Sequence, residues 1–225
     1  MLNFVLRHLH LLVESAIRNI GGPVGQRIRF RWYSRRFASA GRNIRIDEGV
    51  IFQNPENMIL GDDVWFLPYS IVTAMPKGHR LENRILKEVP NPRYRGELGA
   101  IRIGNQVAIG AYNVIQGYGG LEIGSRVTTS ARVSVYSFSH HPVDEKDPGK
   151  VTYANSMADG MPISCIRSPI VLEEGVWLGL NVIVFGGTIG RNSFVATNSV
   201  VLKDLEENSY AKGTPAVRIK RRFES

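Results

Sequence analysis

The stretch Ile103-Gly104-Asn105-Gln106-Val107-Ala108-Ile109-Gly110-Ala111-Tyr112-Asn113-Val114-Ile115 places an apolar residue at every sixth position. A six-residue step fits neither a helix nor a strand, so the repeating unit is a very short extended stretch plus a corner. Three such units close a triangular coil. The rhythm extends outward in both directions. Ile44 and Val50 begin it, followed by Leu60, Phe66 and Val72. After the central triplet come Ile123, Thr129 and Val135, then Leu172, Leu178 and Val184, then Ile189, Val195 and Val201. The expected fold is mainly β, a solenoid over residues 44–204.

Gly follows the inward residue at Gly61, Gly104, Gly110, Gly124, Gly179 and Gly190. Glycine adds no bulk at a tight bend and reaches backbone conformations closed to other residues. The breaks in phase fall between 50 and 60, 72 and 103, 115 and 123, 135 and 172, and 184 and 189. Extra residues therefore enter only between complete triplets, and all of them leave from one edge of the prism. Insertions that map to one face of a repeat protein often mark its working face. The two long ones, 73–100 and 141–169, read as loops, and loops of that length in a compact solenoid usually bind something or are disordered.

With 225 residues, 43% apolar and 21% charged, the chain suits one extended domain. Its net charge of +8 is concentrated before the solenoid, where residues 1–50 hold nine arginines against Glu14, Asp47 and Glu48. A smaller basic tail, 205–225, carries Arg218, Lys220, Arg221 and Arg222. Such a balance points to an anionic surface or ligand at the N-terminal end. Within the first segment, 1–43, Leu2, Val5, Leu6, Leu9, Leu12, Val13, Ala16, Ile17 and Ile20 follow helical spacing up to Gly21-Gly22-Pro23. Arg7, His8, Glu14, Ser15 and Arg18 mark the opposite side. This helix is too polar for a confident membrane span.

Two readings of the helix stand open. It lies in the headgroup boundary of an anionic membrane, with the Arg-rich segment around Trp32 and Tyr33 beside it, or it packs on the end of the solenoid and caps the core. No nucleic-acid-binding motif accompanies the charge, so nucleic acid is not expected. The lone Cys165 excludes an internal disulfide and fits a reducing compartment. No cleavable signal peptide is evident. The expected location is cytoplasmic, with peripheral contact at the inner membrane face under the first reading.

His140 and His141 stand apart from the other histidines because they end the third hexad of a coil, Val135-Tyr136-Ser137-Phe138-Ser139-His140, at the insertion-bearing edge. Imidazole titrates near neutrality, so one ring can take a proton from an acceptor hydroxyl and return it to a leaving thiolate. Metal is not expected: adjacent histidines project differently, and no third has suitable spacing for zinc.

The chain resembles the left-handed parallel β-helix acyltransferases of the hexapeptide-repeat family. The likeness is densest in Val176-Trp177-Leu178-Gly179, Thr188-Ile189-Gly190, Asn198-Ser199-Val200-Val201-Leu202-Lys203-Asp204 and Gly213-Thr214-Pro215-Ala216. These are similar to the signature of maltose and galactoside acetyltransferases and of surface-polysaccharide O-acetyltransferases. The left-handed coil is implied by the resemblance alone.

The resemblance also implies a catalytic histidine that ends its hexad and is followed by proline. Hexad phase favours His140, while His141 is the one that touches Pro142. For the donor, acetyl-CoA, it implies contacts at Trp177, at the backbone of Leu180 and Thr197, and at the side chains of Lys203 and Lys220. The implied reaction is direct transfer to a sugar hydroxyl, with backbone N–H groups stabilising the oxyanion. Asn113, Gln116 and Tyr118 at the same edge are candidate acceptor contacts or supports for a corner of the coil, and a carboxylate or backbone carbonyl is expected to fix the imidazole tautomer, with Asp144 a nearby candidate. A homotrimer with sites between subunits and a carbohydrate acceptor at the membrane complete the expectation. A small soluble sugar or antibiotic as acceptor, or a noncatalytic binding subunit, are the alternatives.

Overall fold

The computed structural model describes residues 2–79, 84–144, 146–152 and 163–223. Residues 80–83, 145 and 153–162 of the two insertions lie outside the described residues, as do the side chains of residues 2–9. The chain winds through three parallel sheets, visiting face A, then B, then C in each coil. Face A stacks Ala40, Leu60, Ile103, Ile123, Leu172 and Ile189 in register. Face B stacks Ile46, Phe66, Ile109, Thr129, Leu178, Val195 and Ala211. Face C stacks Phe52, Val72, Ile115, Val135, Val184 and Val201. All the six-step positions read from the sequence are buried.

The first coil differs from the sequence reading. Its in-register residues are Ala40, Ile46 and Phe52, so the solenoid begins at the strand Ser39–Ala40 and not at Ile44. Ile44 and Val50 are also buried. They fill corner positions two residues ahead of the strand column, and a corner column is apolar enough to imitate the repeat. At the other end, residues 209–221 are more than a tail: Ser209–Gly213 joins face B beside Phe194–Val195, and Ala216–Arg221 pairs with it antiparallel.

The corner glycines are required by contact, not by backbone conformation. A Cβ at Gly110 would lie 2.3 Å from the Ser130 carbonyl oxygen, and one at Gly190 would lie 2.4 Å from the Glu207 nitrogen. Successive coils approach too closely there for any side chain. The left-handed conformation falls two residues later, on Tyr112 (φ 59°) and Asn192 (φ 57°), where Asn tolerates it best.

Every insertion leaves between face C and face A, on one edge. The long ones are not simple loops. Strand Arg84–Glu88 of the first pairs in parallel with Ile163–Arg167 of the second, which pairs antiparallel with Phe138–His140. Together they form a three-stranded arm. Arg167 ion-pairs with Glu88 across it, and Asn91 Nδ2 donates to the Pro169 carbonyl at 3.0 Å.

Two helices precede the prism, α1 (Leu2–Arg18) and α2 (Gly22–Tyr33). The sequence reading placed the first and left the Arg-rich second unassigned. Gly25, Arg29 and Tyr33 form the buried side of α2. Tyr33 meets Phe52 at 4.8 Å and Phe52 meets Phe66 at 4.9 Å, so α2 covers the open end of the core.

Arg29 is fully buried. Its Nε donates to the Ile46 carbonyl at 2.8 Å, and Nη1 donates to the carbonyls of Ile17 (3.1 Å), Arg18 (3.2 Å) and Ile20 (2.6 Å). One guanidinium thus satisfies the carbonyls that the end of α1 leaves without helical partners. Glu14 does not face solvent as the sequence reading had it. It accepts the Tyr33 hydroxyl at 2.7 Å and pairs with Arg18 and Arg36. Burial and this carboxylate raise the Tyr33 pKa. No helix among the described residues is long and apolar enough to cross a membrane.

Candidate active site

The chain leaves the prism after Ser137. Phe138, Ser139 and His140 pair with Arg167, Ile166 and Cys165 of the arm, not with a neighbouring coil. Gln116, at the end of a face C strand, receives this departure: its Nε2 donates to the Phe138 carbonyl at 2.9 Å and its Oε1 accepts the Phe138 N–H at 3.1 Å. Both polar ends of the amide are used on the first residue of the histidine strand. Gln116 is therefore engaged with the backbone, the second of the two roles open to it.

The two histidines differ in surroundings. His140 is exposed and lines a cleft of about 230 Å³ with Tyr136, Ser139, Ile166, Ser168 and Phe185. His141 is half-buried and anchored through its backbone: its N–H donates to the Ser164 carbonyl at 2.9 Å, and its carbonyl accepts the Thr152 hydroxyl at 2.8 Å. Its ring Nδ1 lies 2.8 Å from the Val143 carbonyl oxygen. The Val143 N–H also points at Nδ1 from 3.3 Å; in the tautomer that serves the shorter contact, Nδ1 carries the proton and Nε2 keeps its lone pair. That arrangement suits a general base.

Of the two expected kinds of orienting group, the His141 ring meets the backbone carbonyl and not the Asp144 carboxylate. Asp144 is buried, and its Oδ1 accepts the Lys146 N–H at 2.9 Å. Asn113 is likewise removed from the surface, fully buried with Nδ2 donating to the Thr129 hydroxyl at 2.5 Å and Oδ1 accepting the Val133 N–H at 2.8 Å. It closes a polar network inside the coil, because an inward Thr in an apolar column needs partners. Tyr118 is half-buried with its ring 6.3 Å from that of Phe138, beside the histidine strand.

The residues expected at the donor gather on the far side of the prism. Trp177 stands on the outer side of face B, 45% exposed, in an aromatic row with Phe194 (5.0 Å) and Tyr210 (5.4 Å from Phe194). Lys220 Nζ ends the row, 5.8 Å from the Tyr210 ring. Leu180 and Thr197 are exposed at successive levels of the B–C corner, linked by the Asn198 N–H donating to the Leu180 carbonyl at 3.0 Å. Neither the Leu180 nor the Thr197 N–H has an acceptor among the described residues. Lys203 differs: it follows the last face C strand and lies at the same edge as the arm, exposed. The C–A edge is opposite face B in a triangular section, so one chain holds the histidines and Trp177 apart. No cluster of three or more metal-ligating side chains occurs among the described residues.

Gln116→Ala removes two hydrogen bonds that hold the histidine strand, worth about 1 kcal/mol each. Amide hydrogen exchange at residues 138–140 is expected to rise about tenfold, and unchanged exchange there removes the positioning role.

No family profile matches the chain. It is 31% identical over 129 residues to the "Probable acetyltransferase" Rv3034c of Mycobacterium tuberculosis, covering 57% of this chain and 39% of that one. It is 31% identical over 124 residues to the Escherichia coli protein named "Putative lipopolysaccharide biosynthesis O-acetyl transferase WbbJ", covering 55% and 61%. The matches thus span between about two fifths and three fifths of these relatives' lengths.

Among solved structures, a mutant of AntD, an N-acyltransferase of Bacillus cereus in complex with dTDP-4-amino-4,6-dideoxyglucose and coenzyme A, superposes with a TM-score of 0.68 at 19% identity, covering 87% of this chain and 89% of that one. The hexapeptide-repeat-containing acetyltransferase VCA0836 of Vibrio cholerae, complexed with acetyl coenzyme A, gives 0.52 at 20% identity over 98% and 88%. In sequence the chain is related to proteins named acetyltransferases. In fold it matches hexapeptide-repeat acetyltransferases.

Proposed function

We propose, from this kinship and the geometry of the arm, that the protein is an acetyl-CoA-dependent O-acetyltransferase acting on a sugar hydroxyl of a surface polysaccharide or its lipid-linked precursor. The observation that carries the reading is the His141 ring, held with Nδ1 2.8 Å from the Val143 carbonyl oxygen, and in the tautomer that donates there Nε2 is free to accept. His141 takes the proton of the acceptor hydroxyl as that oxygen forms the ester bond, and returns it to the sulfur as the thioester bond breaks. His140 lines the neighbouring cleft and contacts the acceptor. The transfer needs no covalent enzyme intermediate.

The donor residues fit a CoA thioester. The free N–H groups of Leu180 and Thr197 suit the amide carbonyls of its pantetheine arm, the Trp177 face suits an apolar chain, and Lys203 and Lys220 suit phosphate groups. Because the two halves of the site lie on opposite sides of the prism, a second copy must bring its face B against the arm. A ring closes when three copies do so, which supports a homotrimer with three equivalent sites. The acceptor class follows the lipopolysaccharide-related relative, met at the inner face of the membrane.

A thiol-release assay with acetyl-CoA and a panel of free sugars, nucleotide sugars and lipid-linked glycans tests the reading. Turnover confined to free sugars replaces the surface glycan with a small soluble acceptor, and no turnover with any glycan sinks the enzyme reading. Trp177→Ala is expected to raise the KM for acetyl-CoA about tenfold, the loss of one well-packed aromatic contact, with kcat little changed.

A further inference from the structure

The N-terminal helices are turned inside out. Among the described side chains of α1 the buried one is Glu14, and Arg18 is turned to pair with it, while Leu12 is 68% and Leu11 54% exposed and Val13 and Ile20 are also at the surface. In α2 the buried side is Gly25, Arg29 and Tyr33. At 100° per residue the opposite side is Val24, Arg27, Ile28 and Arg31, all exposed, with Val24 at 62%. Arg35 continues the four-residue spacing and is exposed as well. Arg27, Arg31 and Arg35 have no ion-pair partner among the described residues. The surface thus interleaves apolar side chains with unpaired guanidinium groups.

We propose that the outer sides of α1 and α2 form one docking surface for a bilayer with anionic headgroups. Apolar side chains enter the boundary between headgroups and acyl chains, and the arginines meet phosphate at the same depth. A second copy of this chain is a poorer occupant, because a twofold contact through this face would set the same three arginines against each other. The buried Arg29 and Glu14 networks hold the two helices in one orientation before any lipid is met, so little ordering is left for the binding step. Since α2 covers the base of the prism, docking stands the solenoid on end. The proposal does not depend on the acetyl-transfer reading.

The test is flotation of the full chain with phosphatidylcholine vesicles, with and without phosphatidylglycerol. Binding is expected only with the anionic lipid and weakens as salt rises. Replacing Arg27, Arg31 and Arg35 together by Gln lowers the affinity about a hundredfold, at about 1 kcal/mol for each arginine near the surface. Leu12→Asp with Val24→Asp lowers it comparably, and thiol release with a soluble acceptor and circular dichroism stay unchanged in both variants. Equal binding to both vesicle types, or full binding by the glutamine variant, overturns the proposal. So does a change of molar mass in light scattering on Leu12→Asp, which would assign the face to contact between copies.

Discussion

His141→Ala is expected to lower turnover about a thousandfold, within the range for loss of a positioned general base, while His140→Ala costs tenfold or less by the same reasoning about roles. The difference rests on the carbonyl of Val143. It lies 2.8 Å from Nδ1 of the His141 ring and fixes how the ring is turned, whereas no orienting hydrogen bond reaches the exposed His140 ring among the described residues. Thiol release under saturating acetyl-CoA measures both. The reverse ranking assigns the base to His140, and near-wild-type turnover in both variants removes the histidine mechanism. Neither side chain supports the core, so melting temperatures should remain close to that of the parent.

Replacing Arg29 gives the largest expected change in stability. Arg29→Met leaves the carbonyls of Ile20 and Ile46 without their donor, while that of Arg18 keeps the Gly49 N–H and that of Ile17 a longer contact from the Ile20 N–H. Each buried acceptor left unsatisfied costs about 1–3 kcal/mol, offset in part by relief of a buried charge. A net loss of about 3 kcal/mol is expected, lowering the melting temperature by about 6–12 °C for a domain of this size. Arg29→Lys should recover little, because an ammonium group cannot reach both the α1 end and Ile46 with a fixed fork of donors. Calorimetry checks the size of the effect, and limited proteolysis between α1 and α2 locates it. An unchanged melting temperature would mean that the helices do not seal the core.

Much of the solenoid was legible because its signal is dense. An inward apolar residue every six positions leaves almost no freedom in where each short strand lies, and burial of all these positions follows from the closed triangular section. The reading slipped at the first coil, where Ile44 and Val50 are as apolar as the Ile46 and Phe52 column beside them. Only strand pairing distinguishes a corner residue from a strand residue when both point inward. The common edge of the insertions was legible for the same reason as the coil, since extra residues never interrupted a triplet.

Hexad counting could not choose between the histidines, because a residue's position obeys the repeat only while it remains in the coil. After Ser137 the chain pairs with the arm, and its geometry is set by Ile163–Arg167, whose nearest strand neighbour on the other side begins at residue 84. Contacts over such separations leave no periodic trace. Asn113, Gln116 and Asp144 hydrogen-bond within the fold for a related reason: polar residues at a sharp edge serve the backbone as readily as a ligand, and composition does not say which. Among the described residues the helix reading missed the burial of Glu14, since Glu14 and Arg18 look solvated until α2 supplies Tyr33 and Arg36.

The sequence by itself determined the coil, its three faces and the edge from which every insertion departs, because a short-range repeat with one buried side leaves little choice of register beyond the first coil. Tertiary structure decided which histidine is oriented, what Gln116 holds, and which sides of α1 and α2 meet solvent. Those outcomes depend on single contacts between distant segments, where one carbonyl or one guanidinium settles the arrangement and no local pattern announces it.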